Sequence, residues 1–309
     1  MQKRAVVVIL TALVAAAATR IAAQTPTFRT GIDLATFGVT VVDKKGEFLT
    51  DLTAEDFEIT EDGQKQTVKY FARGTDLESG PEMHVGLLFD TSGSMTEDIK
   101  LSRSAAVKFL NTLSEAKDMT LVDFATEVRV AKYGQKDFAR MVERIRGRTP
   151  DGDTALYDAM GVYLDGASDD DGRKILVLYT DGGDTRSTIS FGDLMTLLRA
   201  SDATVYSVGF LEHSRGRIEE RARLSQIAEA TGGQAFFPTS MKDIDAAYEK
   251  VVAQIRAQYS LAYSSTNTKQ DGAWRKVEIK VTRPDLKGMK VLSRRGYFAP
   301  YQEPPSKTK

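Results

Sequence analysis

The hydrophobic period changes twice along the chain. From Ile32 to about Phe71 apolar and polar residues alternate, the period of half-buried strands. Ile32 and Leu34 share one parity while Phe37, Val39 and Val41 share the other, which predicts a bulge near Ala35–Thr36. Asp43-Lys44-Lys45-Gly46 reads as a turn, and Glu61-Asp62-Gly63-Gln64 as a second one joining Phe57–Thr60 to Thr67–Phe71. Thr53 followed three residues later by Asp56 predicts a capped helical turn between them.

From Pro81 to Ala257 apolar strands alternate with helices. The strand candidates are His84–Phe89, Met119–Ala125, Glu127–Ala131, Lys174–Tyr179, Ala203–Phe210 and Gln234–Phe237. Helical patterns fill the gaps at Glu97–Ser114, Gln135–Arg146, Ala155–Gly166, Phe191–Ala200 and Ile218–Thr231. A last helix places Ile244, Ala247, Tyr248, Val251, Val252 and Ile255 on one stripe. Alternation of this kind predicts a doubly wound, mainly parallel α/β sheet of Rossmann-like build. Strand character returns at Tyr259–Ser264, Trp274–Thr282 and Met289–Tyr297. Each flank has too few strands for a core, so the two are expected to form one β-sandwich of about seven strands into which the α/β unit is inserted.

Lys3 and Arg4, the short apolar run Ala5–Ala18 and the small residues around Ala22-Ala23 describe a secretory signal, too short to span a bilayer. The expected organisation is a signal peptide over 1–23, an N-terminal sandwich segment over 24–80 and the α/β domain over 81–257. C-terminal sandwich strands over 258–301 and a disordered tail over 302–309 complete it. The mature protein is thus expected to be exported to the periplasm, cell surface or medium, with no transmembrane span.

Composition narrows the chemistry. The 42 basic and 43 acidic side chains nearly cancel, which removes the electrostatic case for nucleic acid as a partner. With no cysteine and only His84 and His213, any metal chemistry rests mainly on oxygen.

One constellation offers such oxygens. The strand ending at Asp90 is followed by Thr91-Ser92-Gly93-Ser94, so Asp-x-Ser-x-Ser presents a carboxylate and two hydroxyls from one turn to a hard cation. Ordinary turn and cap chemistry uses the same residues. Two other segments sharpen the picture: Lys174–Tyr179 runs into Thr180-Asp181-Gly182-Gly183-Asp184, and Thr149–Thr154 is a polar loop opening into a helix. Following chain direction through the alternating elements, with Met119–Ala125 and Glu127–Ala131 an antiparallel hairpin, brings Thr154 and Asp181 to the same sheet edge as Asp90. In the doubly wound order 3-2-1-4-5-6 the strands ending at Asp90 and Asp181 are neighbours, about 4.8 Å apart, at the switch point where such sheets bind ligands.

These residues resemble the von Willebrand factor type A domain and its metal-ion-dependent adhesion site. The five-part pattern carries over to Asp90, Ser92, Ser94, Thr154 and Asp181. The flanks resemble VWFA-related proteins of acidobacterial type through Asp51-Leu52-Thr53-Ala54-Glu55-Asp56-Phe57, Glu61-Asp62-Gly63 and Arg294-Arg295-Gly296-Tyr297. The resemblance implies a Mg²⁺ site, open also to Mn²⁺ or Ca²⁺, whose neutral serine ligands leave the ion electrophilic. An open coordination position would then capture an Asp or Glu carboxylate of a protein partner, a binding function and not an enzymatic one.

Two other functions fit parts of the same text. The metal could serve only to tie three loops together. A Mg²⁺-dependent phosphatase of haloacid dehalogenase type also uses a strand-end aspartate, but its second acid falls where this chain has Ser92. The resemblance further implies that the last helix could shift with site occupancy, whereas its stripe alone describes a static packed helix. The remaining features read as structural: Asp169-Asp170-Asp171-Gly172 as a solvated turn, Trp274 and the C-terminal tyrosines as sandwich core, and Arg215, Arg217, Arg221 and Arg223 with Glu219 and Glu220 as a solvated helix face. Neither histidine has a nameable partner in the sequence.

Overall fold

The computed structural model describes residues 34–303, apart from 75, 77–79, 114 and 215. The expected signal segment, Ile32 and the tail beyond Glu303 lie outside the described residues. The chain opens with four strands, β1 (Leu34–Val42), β2 (Phe57–Glu61), β3 (Gln64–Gln66) and β4 (Tyr70–Ala72). The α/β region follows as β5 (Met83–Asp90), α1 (Ile99–Thr112), β6 (Asp118–Phe124), β7 (Val128–Gly134), α2 (Phe138–Gly147), α3 (Leu156–Ala167), β8 (Arg173–Thr180), α4 (Phe191–Ala200), β9 (Thr204–Gly209), α5 (Arg217–Ala230), β10 (Ala235–Phe236) and α6 (Met241–Ala257). Four strands close it: β11 (Tyr259–Ser264), β12 (Trp274–Val281), β13 (Lys290–Leu292) and β14 (Gly296–Phe298).

The central sheet has the order β10-β9-β8-β5-β6-β7, with β7 antiparallel and the other pairings parallel. This is the doubly wound order expected from the sequence. β5 lies in the middle of the sheet with every residue buried, which is why its sequence is a continuous apolar run. Phe109, Met141, Ile145, Tyr248 and Val251 from α1, α2 and α6 cover one face. Leu156, Met160, Leu194, Leu198, Leu224 and Ile227 from α3, α4 and α5 cover the other.

The flanking strands form two antiparallel sheets, β13-β1-β11-β4 and β14-β12-β2-β3, each drawing on both ends of the chain. Phe37, Val39, Ile59, Tyr259, Leu261, Tyr263 and Val277 pack between them. The fold class is therefore the expected one, an α/β sheet set into a β-sandwich. Glu61, buried in that sandwich, accepts hydrogen bonds from Tyr263 Oη at 2.8 Å, Tyr297 Oη at 2.8 Å and Ser265 Oγ at 2.6 Å.

Several local expectations change. β1 carries no bulge: its register against β11 runs unbroken from Leu34↔Ser264 to Val39↔Tyr259. Ala35 faces inward with Phe37, and Leu34 is exposed, so Leu34's parity does not mark the buried face. The single strand expected over Met289–Tyr297 is two, β13 and β14, in different sheets. Between them Arg294 donates to the carbonyls of Ser201 at 3.0 Å and Thr36 at 2.6 Å, its guanidinium 4.6 Å from the Phe37 ring centroid. Trp274 is half-buried, edge-on to the exposed Phe298 at a centroid distance of 5.0 Å, instead of lying in the core. The turn at Thr53 forms as expected: a 3-10 turn at Ala54–Asp56 is capped by Asp56 Oδ2, which accepts from Thr53 N at 2.8 Å.

Gly86 sets how closely α3 approaches β5. A methyl at this position would lie 2.2 Å from the Tyr163 ring and 2.7 Å from a Leu176 methyl. Gly86→Ala should therefore overpack this layer and lower stability by about 1–3 kcal/mol. Urea denaturation checks it, and an unchanged midpoint would count against the close approach.

Candidate metal centre

The five residues singled out in the sequence sit on three loops at the C-terminal rim of the central sheet. Asp90 ends β5 fully buried, Ser92 is fully buried, Thr154 and Asp181 are buried, and Ser94 is exposed. Asp90 Oδ1 accepts from Ser92 N at 2.9 Å, and Oδ2 accepts from Thr180 Oγ1 at 2.5 Å. Ser92 Oγ and Ser94 Oγ are 3.0 Å apart.

Backbone hydrogen bonds tie the three loops together. Gly93 N donates to Gly152 O at 3.0 Å, and Asp151 N to Thr91 O at 2.9 Å. Thr185 N and Arg186 N donate to Thr154 O at 2.9 and 3.0 Å, while Thr154 N donates to Thr185 Oγ1 at 3.0 Å. Gly152 makes its crossing with φ of 76°, and a methyl there would meet Thr126 Oγ1 at 2.4 Å.

Three residues that position the loops were not singled out by sequence reasoning. Thr180 passes the Asp90 contact onward, its Oγ1 accepting from Gly182 N at 3.0 Å. Asp184 accepts from Ser187 Oγ at 2.6 Å and Tyr157 N at 3.3 Å. Asp158 accepts from Thr188 N at 2.9 Å and Ile189 N at 3.1 Å. The available signal was a hydroxyl directly before the strand-end acid, and acids at a helix start and loop where backbone donors need partners. Asp184 is thus engaged in holding the loop.

The electrostatics of the rim are set by burial. Burial raises the Asp90 carboxyl to about 7, the Asp181 charge adds to it, and the hydrogen bonds from Ser92 and Thr180 oppose it. Glu220 on α5 is also pushed up, by burial first and Asp181 second, and it accepts from Ser214 Oγ. The helix face expected to be solvated is therefore packed in part. Arg223 donates to Tyr157 Oη at 2.8 Å, and the Arg221 guanidinium lies 4.1 Å from the Phe237 ring centroid. A second group of potential ligands, His84, Asp118 and Asp170, lies at the opposite end of β5 and β6.

This sheet order, with Asp-x-Ser-x-Ser at its switch point, marks an α/β module of A-domain type. The sequence profile of the von Willebrand factor type A domain matches residues 84–250, more than half of the chain, and the chain belongs to that family. None of the curated proteins matches. Among solved structures, a mutant of the PilB minor pilin from Streptococcus sanguinis is 15% identical with a TM-score of 0.49, over 58% of this chain and 62% of that one. The chain thus spans less than two thirds of that pilin. A von Willebrand factor type A protein from Catenulispora acidiphila is 15% identical with a TM-score of 0.48, over 89% of this chain and 76% of that one. The vWF domain of a type V pilus tip protein from Porphyromonas gingivalis is 12% identical with a TM-score of 0.48, over 57% of this chain and 95% of that domain.

At the same rim His213 Nδ1 lies 3.2 Å from both Asp98 carboxylate oxygens. The hydrogen bond to Asp98, and then its charge, raise the imidazole above the ordinary 6.5. A raised histidine contributes stability below its unfolded midpoint and loses it as pH rises through the folded one. NMR titration should place the His213 midpoint above 6.5 and Asp98→Asn should lower it. An equal midpoint in the two proteins would contradict the pairing.

Proposed function

We propose that this chain is an exported, divalent-metal-dependent protein-binding module. Asp90, Ser92, Ser94, Thr154 and Asp181 would hold Mg²⁺, or Mn²⁺ or Ca²⁺, and an open coordination position would take an Asp or Glu carboxylate from a protein partner.

The observation that carries the reading is a contrast between two buried aspartates. Asp123 on β6 and Asp90 on the neighbouring β5 are both fully buried. Asp123 is met by guanidiniums: Arg144 Nε lies 2.6 Å and Arg148 Nε 2.8 Å away, with Arg129 at 3.9 Å. Asp90 is met by hydroxyl and amide donors and by the negative charge of Asp181. A buried carboxylate costs several kcal/mol unless paired, and the groups on the loops beside Asp90 include the hydroxyls of Ser92 and Ser94, hard oxygens of the kind magnesium prefers.

Each residue then has a task. Asp90 takes Ser92 N and Thr180 Oγ1, which fixes the turn whose Ser92 and Ser94 hydroxyls, 3.0 Å apart, would both face the ion. Thr154, held by its bonds with Thr185, and Asp181, at the end of the adjacent strand, would complete the ligand set. A metal bound there would supply Lewis acidity toward a carboxylate. The assignment is to binding, with export resting on the N-terminal charged and apolar text. Among the described residues, no helix is long and apolar enough to cross a membrane.

A second reading has its own support: the three loops are already cross-bonded, so an ion could act only as their staple. A pull-down from the source cell's envelope with Mg²⁺, repeated with chelator and with Asp90→Ala and Ser92→Ala, distinguishes the two. Capture of a partner in Mg²⁺ and loss of it in all three other arms is expected, with the variants' far-UV circular dichroism unchanged. Capture that persists in excess chelator, while the melting temperature falls, would favour the staple.

A further inference from the structure

The group at the opposite rim stands apart from the proposed function. At the start of β5, His84 Nδ1 lies 3.0 and 3.1 Å from the two Asp118 carboxylate oxygens and 3.9 Å from Asp170 Oδ2. His84 is only 4% exposed. Its Nε2 lies 3.0 Å from the Asp171 carbonyl oxygen, an acceptor, so Nε2 carries a proton. Nδ1 is thereby aimed at carboxylate oxygen at a distance that two acceptors tolerate only with a proton or a cation between them.

A cation is already drawn to this place. Lys132 Nζ, from β7, lies 2.9 and 3.0 Å from the Asp170 oxygens and 3.3 Å from Asp118 Oδ2. The Lys132 side chain is 47% exposed and can swing into water, whereas those of His84 and Asp118 are 5% and 14% exposed and held by the sheet. Asp169 and Asp171, both exposed, add negative charge beside the cluster.

We propose that His84 Nδ1, Asp118 and Asp170 form a second metal site, for a first-row transition cation of the zinc class, which enters by displacing the Lys132 ammonium. One imidazole with two carboxylates selects such ions over magnesium, whose preference is for oxygen alone. The Nε2–H···O=C bond to Asp171 is the outer contact that orients a ligating histidine. The candidate ligand atoms lie within 4.8 Å of one another. Adjacent ligands on bonds of about 2.0–2.2 Å stand about 3.0–3.5 Å apart, so the 3.0 Å separation already fits, while the 3.9 Å one and any between Asp118 and Asp170, within 4.8 Å, must close as the ion replaces the ammonium between them. The site shares no ligand with the Asp90 rim.

The test is calorimetric titration of Zn²⁺ into the untagged protein in excess Mg²⁺, which satisfies the oxygen-only rim. One Zn²⁺ equivalent should bind. His84→Gln should weaken it at least tenfold, His213→Gln should leave it unchanged and Lys132→Gln should tighten it severalfold. Cu²⁺ bound in place of Zn²⁺ should show electron paramagnetic resonance coupling to a single nitrogen, lost in His84→Gln. Should that variant melt below the working temperature, Asp170→Asn takes its place and should also weaken binding at least tenfold. Absence of Zn²⁺ binding at about 1 mM, an isotherm unchanged in His84→Gln, or one lost in His213→Gln would overturn the site. No tightening in Lys132→Gln would overturn the displacement. An isotherm that survives in Asp90→Ala separates this site from the other rim.

Discussion

A carboxylate at the end of a fully buried strand is the constraint from which the C-terminal rim follows. β5 is covered on both faces and paired on both edges, so Asp90 inherits burial from its strand. Placing an ionised acid there demands donors, and the nearest backbone and hydroxyl groups are recruited: Ser92 N on one oxygen, Thr180 Oγ1 on the other. Those contacts fix the loop that carries Ser92 and Ser94. The approach of Asp181, delivered by the adjacent strand, works against them and leaves the Asp90 carboxyl near 7. A hard positive charge placed between these two acids would relieve their repulsion, which is the physical basis of the proposed metal site.

The sandwich shows why the flanking text occurs at both ends of the chain. Glu61-Asp62-Gly63 and Arg294-Arg295-Gly296-Tyr297 are more than two hundred residues apart, yet they meet across β2, β12 and β14. Tyr297 Oη bonds Glu61, Asp62 N donates to Lys276 O at 2.8 Å, and Val277 N donates to Arg295 O at 2.9 Å. Arg294 then reaches past Phe37 to Ser201 at the end of α4, so one side chain joins the sandwich to the α/β layer. Gln258, the residue between α6 and β11, does the same by donating to Thr204 Oγ1 at 3.0 Å.

Much of this was legible in the sequence because it depends on period and chain direction. The alternating segments specified strand and helix types, and a single hairpin at β6–β7 was enough to bring Asp90, Thr154 and Asp181 to one edge. What was not legible depends on which face a residue takes. Leu34 matches a buried parity yet points outward, since β11 pairs with β1 without interruption. The division of Met289–Tyr297 into two sheets coincides with Arg294, a half-buried residue held by contacts with Thr36 and Ser201 that no local pattern encodes. His84 had no visible partner for the same reason: Asp118 lies 34 positions away and becomes its neighbour only through parallel register.

The two ends of β5 therefore pose one electrostatic problem with different answers. At its C-terminal end the groups are hydroxyls and carboxylates, hard and partly neutral; under the proposed function a cation held there would keep waters and exchange one for an incoming acid. At its N-terminal end an imidazole replaces the hydroxyls, and two acids from β6 and the loop before β8 complete a set of equal carboxylate count and softer character. Lys132 can compete at that end because β7, running antiparallel, places it directly across from Thr120 and within reach of Asp118 and Asp170. The leading influences on Asp90 are burial, the charge of Asp181 and the hydrogen bonds from Ser92 and Thr180. The same sheet thus separates a rim whose charge the chain can balance by itself from one whose balance depends on what it binds.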